Sequence, residues 1–316
     1  MSGMWNHTYV TWTFSPAGCQ SPAMRPAIAF PAVPRLAVIA AGPVLVLLAA
    51  ACAPQADSSS TSSASSSCSP SGLSTQAKGK LTIGTDDPAY EPWFSDDKPS
   101  NGKGYESAVA YAVAKQLGYS KSAVVWQKVA FNKAIAPGVK TFDIDINQVS
   151  ITSDRKNAVD FSSGYYDVRQ AVIALKGSKA ANATSIADLK KLKLGAQVGT
   201  TSLDVINNVI KPTQQAAAYQ KNDYAKSALK NGQVDAIVTD LPTAFYITAA
   251  EVTDGKIVGQ FSTTRGRQEQ FGLVLDKGSS LTSCVSKAVT ALREDGTLGK
   301  LEKQWLSDAV DAPVLK

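Results

Sequence analysis

Histidine is almost missing from these 316 residues, and the only one, His7, lies within the first ten. It falls ahead of an export signal described below, so the exported chain is expected to carry no imidazole. That excludes Ser–His–Asp and Cys–His catalysis, histidine general bases and histidine metal ligands together. Cysteine is scarce as well, with 4 in all. Once one is spent on lipid and one is lost upstream, too few remain for a zinc site made of cysteine alone. No metal and no cofactor are expected. The sequence has no GxxxxGK loop and no GxGxxG after a strand, which removes the common phosphate cradles. Dense basic runs are lacking too. Removing residues 1–51 takes away Arg25 and Arg35 but no acid, leaving 30 basic against 26 acidic residues. Nucleic acid is therefore not an expected partner. Composition alone leaves carboxylate-only chemistry, such as glycoside hydrolysis, open.

What the N-terminus does contain is an address. Leu36 to Ala51 (LAVIAAGPVLVLLAAA) is an apolar run of 16 residues preceded by Arg25 and Arg35. A basic stretch followed by a short apolar one is the pattern of a secretory signal, and the run is too short for a comfortable membrane span. It ends in Ala49-Ala50-Ala51-Cys52, which resembles the lipobox of bacterial lipoproteins, with Leu48 one place out of the usual register. Residues 1–51 are thus read as leader and lipoprotein signal peptide, with translation starting at Met24. Cys52 is read as the lipidated first residue of a protein held at the outer face of the cytoplasmic membrane. An ordinary secretory signal with a chance cysteine is the plainer alternative.

A serine-rich stretch follows, Ser58 to Gly72 (SSSTSSASSSCSPSG). With almost no apolar side chains it cannot bury a core, and residues 52–78 are expected to form a tether. Cys68 at the end of this stretch and Cys284 near the C-terminus can pair in an oxidising compartment, or remain two thiols.

From Lys80 onward, short apolar strands alternate with amphipathic helices. Lys80–Gly84 and Val124–Val129 read as strands. Phe142, Ile144 and Ile146 alternate with Asp143, Asp145 and Asn147, the period-two signature of a strand. Between them, Ser107 to Leu117 reads as a helix stopped by Gly118. Strand and helix alternate again through Leu194–Val198, Ser202–Ile210, Ala216–Tyr219, Tyr224–Lys230, Asp235–Thr239 and Pro242–Ala250. Leu281, Val285, Ala288, Val289 and Leu292 mark one face of a late helix. This alternation predicts α/β layers with a largely parallel sheet, and the length suits two such units facing across a cleft.

Seven segments in order give the chain a specific resemblance. They are Gly84 to Phe94 (GTDDPAYEPWF), Gly104 to Val109 (GYESAV), Val149 to Arg155 (VSITSDR) and Val159 to Tyr166 (VDFSSGYY), then Gly195 to Ser202 (GAQVGTTS), Gly232 to Asp240 (GQVDAIVTD) and Asp295 to Trp305 (DGTLGKLEKQW). From about Lys80 to Leu306 the chain resembles the family 3 extracellular solute-binding proteins, the amino-acid-binding components of ABC importers. The resemblance implies the two-lobed periplasmic-binding-protein-like (type II) fold, with two crossover hinge segments. Lobe 1 would span residues 79–169 plus 273–316, and lobe 2 residues 170–272. The hinge would lie near Val168–Val172 and Arg267–Gly272. It also implies a monomeric, non-enzymatic protein that hands its ligand to ABC permease subunits. A ligand-sensing module, or a dehydratase-like enzyme on the same scaffold, would share most of these features.

The resemblance also assigns a site. Arg155 matches the residue that grips an α-carboxylate, where a planar fork suits two parallel hydrogen bonds. Thr200 and Thr201 open a helix whose N–H groups can meet the same carboxylate. Asp240 matches the partner of the α-ammonium, with a helix N-cap as its alternative role. Tyr90, Trp93 and Phe131 would wall the pocket, and Gln148 and Ser150 would offer hydrogen bonds. Asp86 or Asp87 would face the ligand side chain. Ala134 to Gly138 and Gln148 depart from the family pattern.

Overall fold

The computed structural model describes residues 68–262, 268–306 and 312–316. The signal segment, Cys52, the first part of the tether and Arg267 of the second expected hinge lie outside these residues. All the described residues belong to one compact unit, Thr61–Lys316.

Ten strands form the framework. In chain order they are β1 (Leu81–Thr85), β2 (Val124–Lys128), β3 (Ile144–Asp145), β4 (Val159–Val168), β5 (Gln170–Leu175), β6 (Leu194–Gln197), β7 (Ala217–Tyr219), β8 (Ala236–Asp240), β9 (Gly255–Gln260) and β10 (Glu269–Asp276). They make two five-stranded sheets, ordered β2-β1-β3-β10-β4 and β7-β6-β8-β5-β9. Each sheet follows one plan. Three parallel strands are closed by two long antiparallel ones: β10 and β4 in the first sheet, β5 and β9 in the second. Helices flank both sheets, which is the expected two-lobed α/β architecture.

The chain leaves the first sheet at Val168 and enters the second at Gln170, a crossing of one residue, Arg169. It returns between β9 and β10. The expected lobe boundary at residue 272 therefore needs moving, because Glu269–Asp276 is one continuous strand paired with β4. The C-terminal end needs moving as well. Leu315 donates its N–H to Gln260 and packs with Val258 and Phe261 in lobe 2 rather than lobe 1.

Local sequence explains most elements. The helix Tyr105–Gln116 starts behind Gly104, whose φ of 89° and whose contact with Trp93 leave no room for a side chain. It stops at Gly118, where φ is 84° and two backbone N–H groups reach back to Ala114 and Lys115. Its buried face meets Trp93, Tyr166 and Phe271, which contact each other edge-on or tilted.

Two expectations change. The period-two strand expected over Phe142–Asn147 is only Ile144–Asp145, and all six residues are buried. Asp143 is held there by accepting from the N–H groups of Thr82 and Gln76, each at 2.7 Å. The tether also ends sooner than residue 78. Leu73 packs on the lobe 1 core, and Gln76 is bonded to Asp143 and Lys140. Cys68 is joined to Cys284 in a disulfide with Cα atoms 5.3 Å apart, which ties this segment to the helix Thr282–Glu294. Among the described residues no helix is long and apolar enough to cross a membrane.

Candidate functional site

In both lobes the loops leaving the parallel strands converge on one cleft. Asp86 follows β1, Phe131 follows β2, and Asn147 and Gln148 follow β3. From the other side come Thr200, Thr201 and Ser202 after β6, Asn222 after β7, and Asp240 at the end of β8. Ligands of α/β sheets gather at these strand ends. The lobes are closed on one another. Trp93 Nε1 donates to Thr243 Oγ1 at 2.9 Å, and Tyr90 Oη donates to Asp223 Oδ2 at 3.3 Å. Lys221 Nζ donates to the Asp87 carbonyl at 2.6 Å.

Arg155 belongs to lobe 1 but spans the cleft. It sits in the first turn of the helix Ser153–Ala158, where Thr152 caps its N–H. One terminal nitrogen donates to the Ser150 carbonyl at 2.7 Å and the other to the Gly199 carbonyl of lobe 2 at 2.9 Å. The guanidinium stacks over Phe131, 5.4 Å from the ring centre. Desolvation lowers its pKa, while the carboxylates of Glu269, Asp204 and Asp240 work the other way.

Asp240 stands at the N-cap position of the helix Leu241–Tyr246 but makes no side-chain cap. Its Oδ1 instead accepts from Gln170 Nε2 at 2.7 Å. Burial pushes its pKa up to about 8, and the negative charge of nearby Glu269 adds to the shift. At its other end the Gln170 amide accepts at Oε1 from Ser202 Oγ at 2.6 Å.

Glu269 is the residue that the sequence reading passed over. It begins β10, directly after the second crossing, and is buried. Its Oε1 accepts from Ser150 of lobe 1 and from Thr201 of lobe 2, the latter at 2.6 Å. Gln170 was missed too; a polar residue heading the apolar run Ala171–Leu175 was the available signal.

The remaining predicted residues divide. Thr200 caps its helix, accepting from Leu203 N–H at 3.2 Å, and Thr201 lines the cleft. Tyr90 and Phe131 line it as well. Ser150 sits behind the lining, its hydroxyl spent on Glu269 and its carbonyl on Arg155. Gln148 reaches the cleft with φ of 49°, but its side-chain amide turns away to the fully buried Glu106. Trp93 is not a wall. It is wholly buried in the lobe 1 core, because Tyr105, Tyr166 and Phe271 surround it. Of the two aspartates, Asp86 lines the cleft, and burial raises its pKa. Asp87 faces outward to Lys128 at 2.6 Å.

A cleft between two α/β lobes, with one guanidinium and two carboxyl groups on its walls, defines a binding protein for a small polar solute. Residues 81–308 match the model of the bacterial extracellular solute-binding proteins, family 3, and the chain belongs to that family. It is therefore a solute-binding protein of extracytoplasmic location. The ABC transporter glutamine-binding protein GlnH of Bacillus subtilis is 30% identical over 223 residues, covering 68% of this chain and 77% of that protein. The L-cystine-binding protein TcyA of the same organism is 30% identical over 241 residues, covering 75% and 85%. Among solved structures, an ancestral arginine-binding protein bound to arginine superposes with a TM-score of 0.60 at 32% identity. It covers 72% of this chain and 98% of its own.

Proposed function

We propose that the protein captures a free α-amino acid between its lobes and delivers it to an ABC permease. The α-carboxylate would lie against Arg155 and the N–H groups that open the helix at Thr201. The α-ammonium would lie against Asp240. A single observation carries this reading: Arg155 and Asp240, 85 positions apart and on different lobes, face the same cleft. A desolvated zwitterion needs one group of each sign, and a buried carboxylate such as Asp240 needs a cation. Of the five donors on a guanidinium, Arg155 spends two on Ser150 and Gly199. The rest remain for a carboxylate. Because Arg155, Ser150 and Thr201 join residues of both lobes, ligand bound here would favour the closed form that a permease can recognise.

The protein works as a monomer at the outer face of the cytoplasmic membrane, held by lipid on Cys52 and the serine-rich tether. Calorimetry with the common amino acids tests the reading. Binding in the nanomolar to micromolar range is expected, with a loss of at least about 100-fold in Arg155→Ala. Mass spectrometry of the recovered ligand should find it unchanged, which separates capture from turnover. No heat from any amino acid, or full affinity in Arg155→Ala, would refute it. Replacing Cys52 by Ser should move the protein from the membrane fraction to the soluble one.

A further inference from the structure

Once an α-amino acid's charged ends are assigned to Arg155 and Asp240, an unusual set of cleft groups is left over. Three side-chain amides line the cleft: Asn147 beyond β3, Gln197 at the end of β6 and Asn222 at the start of the helix Asn222–Lys230. Gln148 is excluded from this set, since Glu106 takes its amide. Within the described protein the other three side chains hydrogen-bond to nothing. Asn147 is only 3% exposed, and its Nδ2 is buried without a partner. A buried donor left so costs stability until something accepts from it. Beside these amides lies Asp86, and Asp145, with neither oxygen paired, is fully buried one strand away.

The chemistry of the missing partner follows by elimination. A carboxylate side chain would meet Asp86, with Asp145 behind it. A cationic side chain would suit Asp86 but carries no acceptor for the buried Asn147 Nδ2. It would also approach Lys221, which already closes over Asp87 from lobe 2. A neutral carboxamide or urea has both halves. Its N–H donates to Asp86, and its carbonyl accepts from an amide N–H.

We infer that the side-chain end of the cleft reads a neutral carboxamide, with Asn147, Gln197 and Asn222 as the residues that set this preference. The inference rests on the amino-acid reading above. Titration calorimetry on the exported protein with L-glutamine, L-glutamate, L-lysine and L-arginine tests it. L-Glutamine should bind at least about tenfold more tightly than the other three. Asn147→Ala and Asn222→Ala should each weaken L-glutamine about tenfold while changing L-lysine less than about threefold. Asn222 is half-exposed, so its variant keeps the test open if the buried Asn147→Ala chain does not fold. Tighter binding of a charged side chain, or an equal loss for every ligand in both variants, overturns this inference alone. Silence from every amino acid overturns it together with the reading on which it rests.

Discussion

Replacing Asp240 by Asn should stabilise the empty protein while removing its grip on ligand. The carboxyl is buried between Gln170 and the charge of Glu269, and its pKa is pushed up to about 8 against an ordinary value of 3.8. In the unfolded chain it ionises near the ordinary value. Between the two, the folded state holds a proton that the unfolded state has released, so stability falls as pH rises through this window. At pH 7 the window spans about three pKa units, which sets an upper limit of about 4 kcal/mol on the destabilisation. Opening of the empty cleft would hydrate the carboxylate and reduce this, to about 2 kcal/mol. Asn keeps the oxygen that Gln170 donates to and never ionises. The variant should therefore melt about 4–8 °C above the wild type near pH 8, and within about 1 °C of it near pH 4. Scanning calorimetry of the ligand-free proteins at the two pH values measures this directly. In the same variant, amino-acid affinity should fall at least about 100-fold, because the ammonium loses its anion. Equal melting temperatures at both pH values would refute the desolvation argument.

Three further outcomes follow from contacts described above. Trp93→Phe removes the bond to Thr243 without touching the cleft, so urea denaturation should show a loss of about 1–2 kcal/mol with ligand preference unchanged. Altered preference would restore Trp93 as a pocket wall. Cys284→Ser opens a cross-link spanning 216 positions, and chain entropy sets the loss at about 5 kcal/mol. Urea denaturation of wild type with reductant should reproduce that loss, and denaturation insensitive to both changes would contradict the assigned bond. Glu269→Gln keeps the size of the side chain but brings an amide nitrogen among donors from Ser150, Thr201 and Gln170. Small-angle scattering should find the ligand-saturated variant less compact than wild type; identical profiles would deny Glu269 a part in closure.

Much of the fold was legible in the sequence, since short apolar runs such as Leu81–Thr85 and a helix stopped by Gly118 declare themselves by local rules. Two failures share one cause. The alternation at Phe142–Asn147 does not show that Asp143 is buried to accept from the N–H groups of Thr82 and Gln76. The family resemblance assigns Trp93 to the pocket wall, but Tyr105, Tyr166 and Phe271 arrive from three other segments to enclose it.

The sequence by itself determined which chemistries were closed, through the lone His7 and the scarce cysteines, and its resemblance to the family picked out Arg155 and Asp240 as opposite charges for the ligand's two ends. Those properties depend on residue type and local order. Only the tertiary structure decided that Asp86 rather than Asp87 faces the cleft. It also decided that Gln170 holds Asp240, that Glu269 joins Ser150 to Thr201, and that Asn147 lies buried with a donor unspent. Each of these depends on desolvation and on partners brought from distant segments, quantities that arise only once the chain has folded.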